Sequence, residues 1–297
     1  MEKLLTLGLL AGCILCYVCQ GLFGKLYAIH YDGRESDATP VYSTLYGIIV
    51  GVGVLAAALG MRLSASAATW VLGVLNGVVL FTYNLAIIRA SCTGPFGFQS
   101  IFRMFGAVVL PMVFSLVFWG EKLSLLQVAG IVLMLFSFVL INADGVALKG
   151  AQKGYIGWVT LLFIVNGAYS VLMAAQQRVT GNAEGNEMIV ITFLSSALIS
   201  LVSLLIQHKG GTLGAFRMCK KAWLSALGAG VVAALAVVQL MVLLGRMESL
   251  SVFYTVENGM VLVLTVAASA VLFKEKISKS AMLGIALAVA SLAMLSV

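Results

Sequence analysis

Apolar residues run along this chain in long blocks, broken at intervals by short polar clusters. About 20 consecutive apolar residues span a bilayer core. Cutting the chain at its charge, Pro and Gly clusters gives ten such runs. The first five lie near Leu4–Ile29, Val41–Met61, Thr69–Ile88, Phe96–Phe118 and Leu125–Ile141. The second five lie near Tyr155–Ala175, Met188–Ile206, Ala222–Leu244, Val252–Phe273 and Ala281–Val297. The runs are too long for tilted barrel strands and do not alternate polar with apolar positions. The pattern predicts an all-α membrane protein with ten transmembrane helices. The longest connections are "HYDGRESDATP", "NADGVALKGAQKG", "QQRVTGNAEGNE" and "QHKGGTLGAFRMCKK", and none holds a soluble domain. The opening "MEKLLTLGLLAGC" has the look of a signal peptide. Its apolar run continues too far and nine more spans follow, so it reads as the first retained helix.

Composition agrees. Of 297 residues, 62% are hydrophobic and only 10% charged, with a mean hydropathy of +1.09. A soluble domain of this size does not hide so much apolar surface behind so few charges. The net charge of +7 does not point to nucleic acid, because the charges sit in loops, where they orient a membrane protein. Side A is the face bearing the N-terminus. It carries Lys3, Arg62, Lys122, Arg178 and Arg246. Side B carries Lys25, Arg34, Arg89, Lys149, Lys153, Lys209, Arg217, Lys220, Lys221, Lys274, Lys276 and Lys279. The excess places side B in the cytoplasm and both termini outside, in a multi-pass protein of the cell membrane. Cys13, Cys16 and Cys19 recur every third residue, drift around the first helix and read as small packing residues.

An internal repeat is visible. "FWGEKLSLLQVAG" (Phe118–Gly130) matches "LFKEKISKSAMLG" (Leu272–Gly284) at a shift of 154, which sets Glu121 on Glu275, Ser124 on Ser278 and Gly130 on Gly284. "CQGLFGK" in the first run matches "VNGAYSV" in the sixth at a shift of 146. Five spans per copy is an odd number, so the second copy must enter the membrane from the opposite face. Residues 1–150 and 151–297 therefore read as a 5+5 inverted-topology repeat forming one integral membrane domain, an architecture used by many secondary transporters. At the shift of 154, Arg103 falls on Glu257. Each half thus carries one full charge inside its fourth helix, with opposite sign. A charge inside a membrane helix costs roughly 2.5 kcal/mol or more, and such residues mark functional sites.

These residues carry a resemblance. "GEKLSLLQVAGIVLMLFSFVLIN" (Gly120–Asn142) and "KEKISKSAMLGIALAVASLAML" (Lys274–Leu295) look like the acidic-basic-apolar turn that precedes the last helix of each half in the drug/metabolite transporter superfamily, in its ten-helix EamA-like form. "LFTYNLAIIRAS" (Leu80–Ser91) is similar to the end of that family's third helix. The likeness covers essentially the whole chain. It implies alternating access by two five-helix halves around a cavity lined by helices 1, 3, 4, 6, 8 and 9. Members of that family usually have both termini inside and a basic loop after helix 2. Here that loop is "GMRLSASAAT", with one Arg, and the charge count favours the reverse.

Polar residues inside the spans give the candidate substrate site: Gln20 in helix 1, Tyr83 and Asn84 in helix 3, Gln99 and Arg103 in helix 4, Asn166 and Tyr169 in helix 6, and Tyr254, Glu257 and Asn258 in helix 9. Asn76, Ser170 and Gln239 are further polar residues in the same helices or in helix 8. Gln99 and Arg103 are spaced i, i+4 and share a helix face, as do Tyr254 and Glu257 at i, i+3. Each Gln, Asn or Tyr could equally serve an interhelical hydrogen bond, worth about 0.6 kcal/mol. Arg103 and Glu257 could form an ion pair with each other or serve a substrate and a proton. Counting residues along the two helices sets their Cα atoms roughly 14 Å apart in depth. No Walker loop, HExxH or zinc-spaced CxxC motif occurs, so no catalytic residue, metal or cofactor is expected and the chain reads as a non-enzyme.

The reading is a secondary transporter of a small polar or zwitterionic, amino-acid-like metabolite. Its carboxylate would meet Arg103 and its amine Glu257, and Glu257 can also exchange a proton. The alternatives are an exporter of organic cations with Glu257 as the binding carboxylate, and a non-transporting membrane protein. The expected partners are a small-molecule substrate, membrane lipid and protons, with no nucleic acid, in a monomer or homodimer. The charge count makes a direct prediction. A cysteine placed at Ala151 reacts with an impermeant label from the cytoplasm and one at Ser64 from outside; the reverse pattern overturns the count.

Overall fold

In a computed structural model, which describes residues 2–58, 64–94, 96–143, 151–181, 183–208, 212–273 and 278–295, the chain is helical in every regular element apart from turns. The helices are α1 (Glu2–His30), α2 (Glu35–Ala57), α3 (Ala67–Thr93), α4 (Phe96–Phe118), α5 (Leu125–Ile141), α6 (Tyr155–Thr180), α7 (Gly185–Gln207), α8 (Lys220–Leu244), α9 (Leu250–Phe273) and α10 (Lys279–Leu295). A short 3-10 helix, Thr212–Phe216, precedes α8. Among the described residues, eight of these helices are long and apolar enough to cross a membrane. The other two, α5 and α10, are apolar but have 17 residues each. At 1.5 Å per residue they reach about 26 Å, a little short of a typical hydrocarbon core. Large apolar side chains such as Val71, Phe118, Val132, Leu198, Leu235 and Val271 face outward. A water-soluble fold would bury them.

Several expected boundaries move. α2 starts at Glu35 rather than Val41, so half of "HYDGRESDATP" is helical. α6 continues to Thr180 and α7 begins at Gly185, which shrinks "QQRVTGNAEGNE" to a turn at Gly181, whose φ is +58°. Hydropathy places a helix end where charge begins, whereas the backbone continues until its hydrogen bonds stop. Arg62, Lys149, Lys209, Lys274, Glu275 and Lys276, used in the charge count and the repeat, lie outside the described residues, as does Met61.

The chain divides into two compact units. One comprises Met1–Asn84 and Leu172–Arg246; the other comprises Leu85–Val171 and Met247–Val297. The first contains α1, α2, α7, α8, the first part of α3 and the last part of α6. Here α1 packs on α8, and α2 packs on both α7 and α8. Small residues make this possible. Ala222, Ala226, Ala229, Ala233 and Ala236 are all fully buried along α8. A Cβ on Gly47 of α2 would stand 2.6 Å from the Phe193 carbonyl oxygen of α7. One on Gly77 of α3 would meet Ser195 of α7, and one on Gly230 of α8 would meet Ile49 of α2, both at 2.6 Å. Helices in lipid gain little by hiding apolar surface from one another, so close backbone approach at small residues does the packing.

Helix starts in this unit are capped from afar. The Glu184 carboxylate accepts from the Ser66 amide at 3.0 Å and its hydroxyl at 2.8 Å, just before α3. The Asp32 carboxylate accepts from the Cys219 amide at 3.0 Å, just before α8. Ser66 and Cys219 are 153 positions apart, as are Gly77 and Gly230. An acid at a helix start satisfies donors that no preceding turn can reach. The Thr69 hydroxyl, with the Ser66 amide and hydroxyl, holds the Glu184 carboxyl below the ordinary carboxylate range. The cap is therefore present at neutral pH and lost as the pH falls through that lowered range.

The second unit contains α4, α5, α9, α10 and the remainders of α3 and α6. Its core joins Met104, Val108, Ile131, Met134, Phe138, Leu262, Ala288 and Leu295. α5 packs on α10 and α4 on α9. The serines that end the repeated "EK-S" turn, Ser124 and Ser278, are helix caps. Ser124 and Gln127 form a capping box on α5, and the Ser278 hydroxyl accepts from the Ala281 amide at the start of α10, as the Ser124 hydroxyl does from Gln127. Glu121 accepts from the Ser249 hydroxyl and, at 3.3 Å, from the Ser251 amide, which caps α9. The α5–α10 contact is reciprocal. A Cβ on Gly130 would meet Leu295, and one on Gly284 would meet Ile141. Gly130 and Gly284 are 154 apart, and so are Ile141 and Leu295.

The two glycines differ in what they face. A Cβ on Gly284 would lie 2.8 Å from the Ile141 amide nitrogen and 2.9 Å from the Ser137 carbonyl oxygen, which are backbone atoms. At Gly130 the obstacles are side-chain atoms at 3.0–3.2 Å. Gly284→Val is expected to destabilise by about 1–3 kcal/mol, the usual effect of overpacking, and Gly130→Ala by distinctly less. Gly157→Val, with nothing within 4 Å of its Cβ position, serves as the neutral control. Melting of the solubilised protein measures all three.

Candidate functional site

Seven of the ten expected site residues lie in the second unit: Gln99, Arg103, Asn166, Tyr169, Tyr254, Glu257 and Asn258. Gln20, Tyr83 and Asn84 lie in the first.

Within the second unit α4 and α6 touch backbone to backbone. A Cβ on Gly167 would stand 2.5 Å from the Gly106 carbonyl oxygen, and one on Gly106 would collide with the Phe163 carbonyl. This approach brings Asn166, next to Gly167, against α4. Its Nδ2 donates to the Arg103 carbonyl oxygen at 2.8 Å. One turn further along α6, the Ser170 hydroxyl donates to the Asn166 carbonyl at 3.5 Å. The Tyr254 hydroxyl of α9 donates to the Ser170 carbonyl at 3.0 Å. Asn258 then donates both to the Tyr254 carbonyl, at 2.9 Å, and to Glu257 Oε2, at 2.7 Å. A path of hydrogen bonds and the residues they join thus runs from the Arg103 backbone on α4, through α6, to the Glu257 carboxylate on α9.

Glu257 is buried, 7% exposed, and Asn258 is the donor that orients it. Arg103 and Tyr169 are half-buried. Pro111 lies within α4, which remains helical across it. Gln99, 1% exposed, donates to the Ile87 carbonyl of α3 at 2.8 Å and so ties the start of α4 to α3. In the first unit Gln20 donates to the Tyr46 hydroxyl at 2.8 Å, a bond from α1 to α2. Tyr83 and Asn84 are half-buried on α3. Asn76 is fully buried, and neither atom of its amide has a hydrogen-bond partner among the described residues.

Two polar residues are hidden from the pattern of apolar runs. By hydropathy Gln176 and Gln177 fall in a connection, yet they lie buried in the last turns of α6. Gln176 donates to the Thr69 and Thr180 hydroxyls and to the Glu184 carbonyl; Gln177 donates to Gln176 Oε1 at 3.1 Å. An α6 that stops at Ala175 is five residues too short and leaves them in a loop. Reading the helix on to Gly181, a glycine suited to end it, brings them inside.

The path makes a measurable claim about Tyr254, which is 2% exposed. Tyr254→Phe removes one buried donor and leaves the Ser170 carbonyl without it. The expected loss is about 0.6–1.5 kcal/mol, read as a lower melting temperature. The Thr82 hydroxyl donates to the Val78 carbonyl of its own helix, and Thr82→Val should be tolerated.

No protein-family model and no curated protein matches this chain. A crystal structure of another protein is similar to it over 96% of this chain and 94% of that chain, at 18% sequence identity and a TM-score of 0.76. The likeness is one of fold.

Proposed function

We propose that the chain is a multi-pass protein of the cell membrane that spans it ten times as a 5+5 inverted repeat and works as a secondary transporter of the drug/metabolite type. It moves a small polar or zwitterionic metabolite by alternating access. The observation that carries this reading is the hydrogen-bonded path across α4, α6 and α9, ending on a buried carboxylate. Its two charged residues hold equivalent places in the repeat. A carboxylate in hydrocarbon needs a reason, and substrate or proton binding is the common one.

The repeat draws support from contacts as well as sequence. α2 packs on α7, α4 on α9 and α5 on α10, each helix against its own equivalent. A two-fold axis produces this, because residue i then meets j wherever j's equivalent meets i's. Gly130 with Leu295 and Gly284 with Ile141 obey that rule. So do the caps at Ser66 and Cys219. The short α5 and α10 cross by locally thinning the bilayer or by carrying interfacial residues at their ends.

Proteoliposome uptake tests the proposal. Arg103→Ala should abolish uptake in a folded protein. Arg103→Lys should recover little, because an ammonium cannot reproduce the planar fork that grips a carboxylate. If the two charges neutralise each other, removing one strands the other, at a cost of about 3 kcal/mol or more. Arg103→Leu combined with Glu257→Leu should therefore regain stability but not uptake. Full activity in the double variant rules out a substrate role for both charges. The second reading, an exporter of organic cations, is favoured by the path ending on Glu257. It is adopted if Arg103→Leu still transports cations and Glu257→Gln does not.

A further inference from the structure

Five of the seven buried side-chain polar atoms without a hydrogen-bond partner among the described residues lie in the first unit. They are both amide atoms of Asn76 on α3 and the hydroxyls of Ser43 on α2 and of Thr192 and Ser200 on α7. Helix contacts place them in two facing pairs. Gly73, Asn76 and Gly77 share one face of α3 by their spacing. A Cβ on Gly73 would meet Ile191, with the Met188 sulfur at 3.6 Å, and one on Gly77 would stand 2.9 Å from the Thr192 carbonyl oxygen. Asn76 therefore lies between those contacts, against the stretch of α7 that carries Thr192. On α2, Val41 packs with Leu204, and a Cβ on Gly47 would meet Ala197. Ser43 lies between these two points, as Ser200 does on α7. Thr192, Ser196 and Ser200, at intervals of four, make one buried stripe.

Packing does not require this polarity. Gly230 of α8 meets Ile49 of α2 as closely as Gly77 of α3 meets Ser195 of α7, at 2.6 Å. The two glycines are 153 positions apart, and Ile49 and Ser195 are 146 apart. The same two intervals match Asn76 with Ala229, Ser196 with Val50 and Ser200 with Val54. Ala229, Val50 and Val54 are all buried. Thr192 matches Tyr46, whose hydroxyl already accepts from Gln20. One crossing is thus closed mainly by apolar groups where the other carries an amide and hydroxyls. An unpaired amide buried in a membrane helix is expensive. Its chemistry also says what it takes. A metal ion would satisfy the oxygens and leave the Asn76 N–H groups unpaired, whereas water both accepts and donates. A buried water characteristically makes about three hydrogen bonds to polar groups that otherwise lack partners.

We propose that the polar stripe of α7 is a water-binding seam: one molecule bridges the Asn76 amide to the Thr192 hydroxyl, and another bridges Ser43 to Ser200. The bridges tie α7 to α3 and to α2 at crossings where no direct hydrogen bond joins the facing groups. Glycine brings the backbones together at both crossings, and water supplies the polar bonds between them. The seam belongs to the first unit, whereas Arg103 and Glu257 belong to the second.

The test uses the solubilised full chain, and neither readout depends on transport or orientation. Thr192→Val and Ser200→Ala keep the shape and remove one hydroxyl each. Each should lower the melting temperature by about 2–4 °C, the shift expected when one buried hydrogen bond is lost. Removing a hydroxyl that was never paired leaves the melting temperature unchanged or raises it, and that result overturns the proposal. Asn76→Ala installs the residue of the matching crossing. If one water serves both groups, Asn76→Ala combined with Thr192→Val should lose less than the sum of the two single losses. Strict additivity overturns the bridge. Radiolytic hydroxyl-radical labelling reads the water itself, because radicals also form from water bound inside a protein. Met188 and Met134 are both fully buried, and Met134 lies in the apolar core of the second unit. Met188 should be oxidised well above Met134, and the excess should vanish in the double variant. Equal labelling of the two methionines in the wild type overturns the seam.

Discussion

Helix packing here depends on backbone approaching backbone. Lipid tails solvate apolar side chains as well as a neighbouring helix does, so burial alone cannot hold such helices together. Dispersion contacts and hydrogen bonds must do so, and both need proximity. Gly47, Gly77, Gly230 and Gly284 occupy positions where a single Cβ would strike the facing helix. The five buried alanines of α8 play the same part along one stripe. The candidate site rests on this arrangement. Gly106 and Gly167 press α4 against α6, and only then does Asn166 reach the carbonyl of Arg103.

That proximity changes what the polar side chains mean. Asn166, Ser170, Tyr254 and Asn258 all donate to backbone carbonyls. Asn166 and Tyr254 act as struts between helices, and Ser170 and Asn258 bond within their own. Of the four, Asn258 also reaches a charged side chain. The neutral residues thus fix the helices that carry Arg103 and Glu257. Gln99 and Gln20 follow the same rule in their own surroundings, each crossing to a neighbouring helix.

Hydropathy reveals the helices because a membrane helix must be apolar over most of its length. It misplaces their ends, since a helix continues past the last apolar residue for as long as a cap can satisfy it. α2 begins six residues before Val41, and α6 runs five beyond Ala175. The second error hides Gln176 and Gln177. Polarity within the spans points to the residues on α4, α6 and α9, but not to their division of labour. A hydrogen bond from Asn166 to a carbonyl 63 positions away leaves no trace in local spacing. Nor does the sequence identify Asp32, Glu121 and Glu184 as caps, because each acid acts on a helix start distant along the chain.

Capping also accounts for the likeness of the turns before α5 and α10, where Ser124 and Ser278 each accept from an amide in the first turn of the helix that follows. A helix start near hydrocarbon presents donors that water cannot reliably reach, and leaving them unpaired is expensive. Side-chain replacements within an apolar span are tolerated so long as the span stays apolar and small residues remain at its crossings. A cap allows no such latitude, because it needs an acceptor at one place. Ser124 and Ser278, 154 positions apart, each place a hydroxyl at a helix start, and Glu184 and Asp32 each place a carboxylate at one. At the α5–α10 crossing Gly284 has room for little more than a hydrogen, because backbone atoms stand against it, while Gly130 faces side-chain atoms. Arg103 and Glu257, at the same spacing of 154, differ in charge, so that spacing goes with the contacts that pack and cap helices and not with the charge carried inside them.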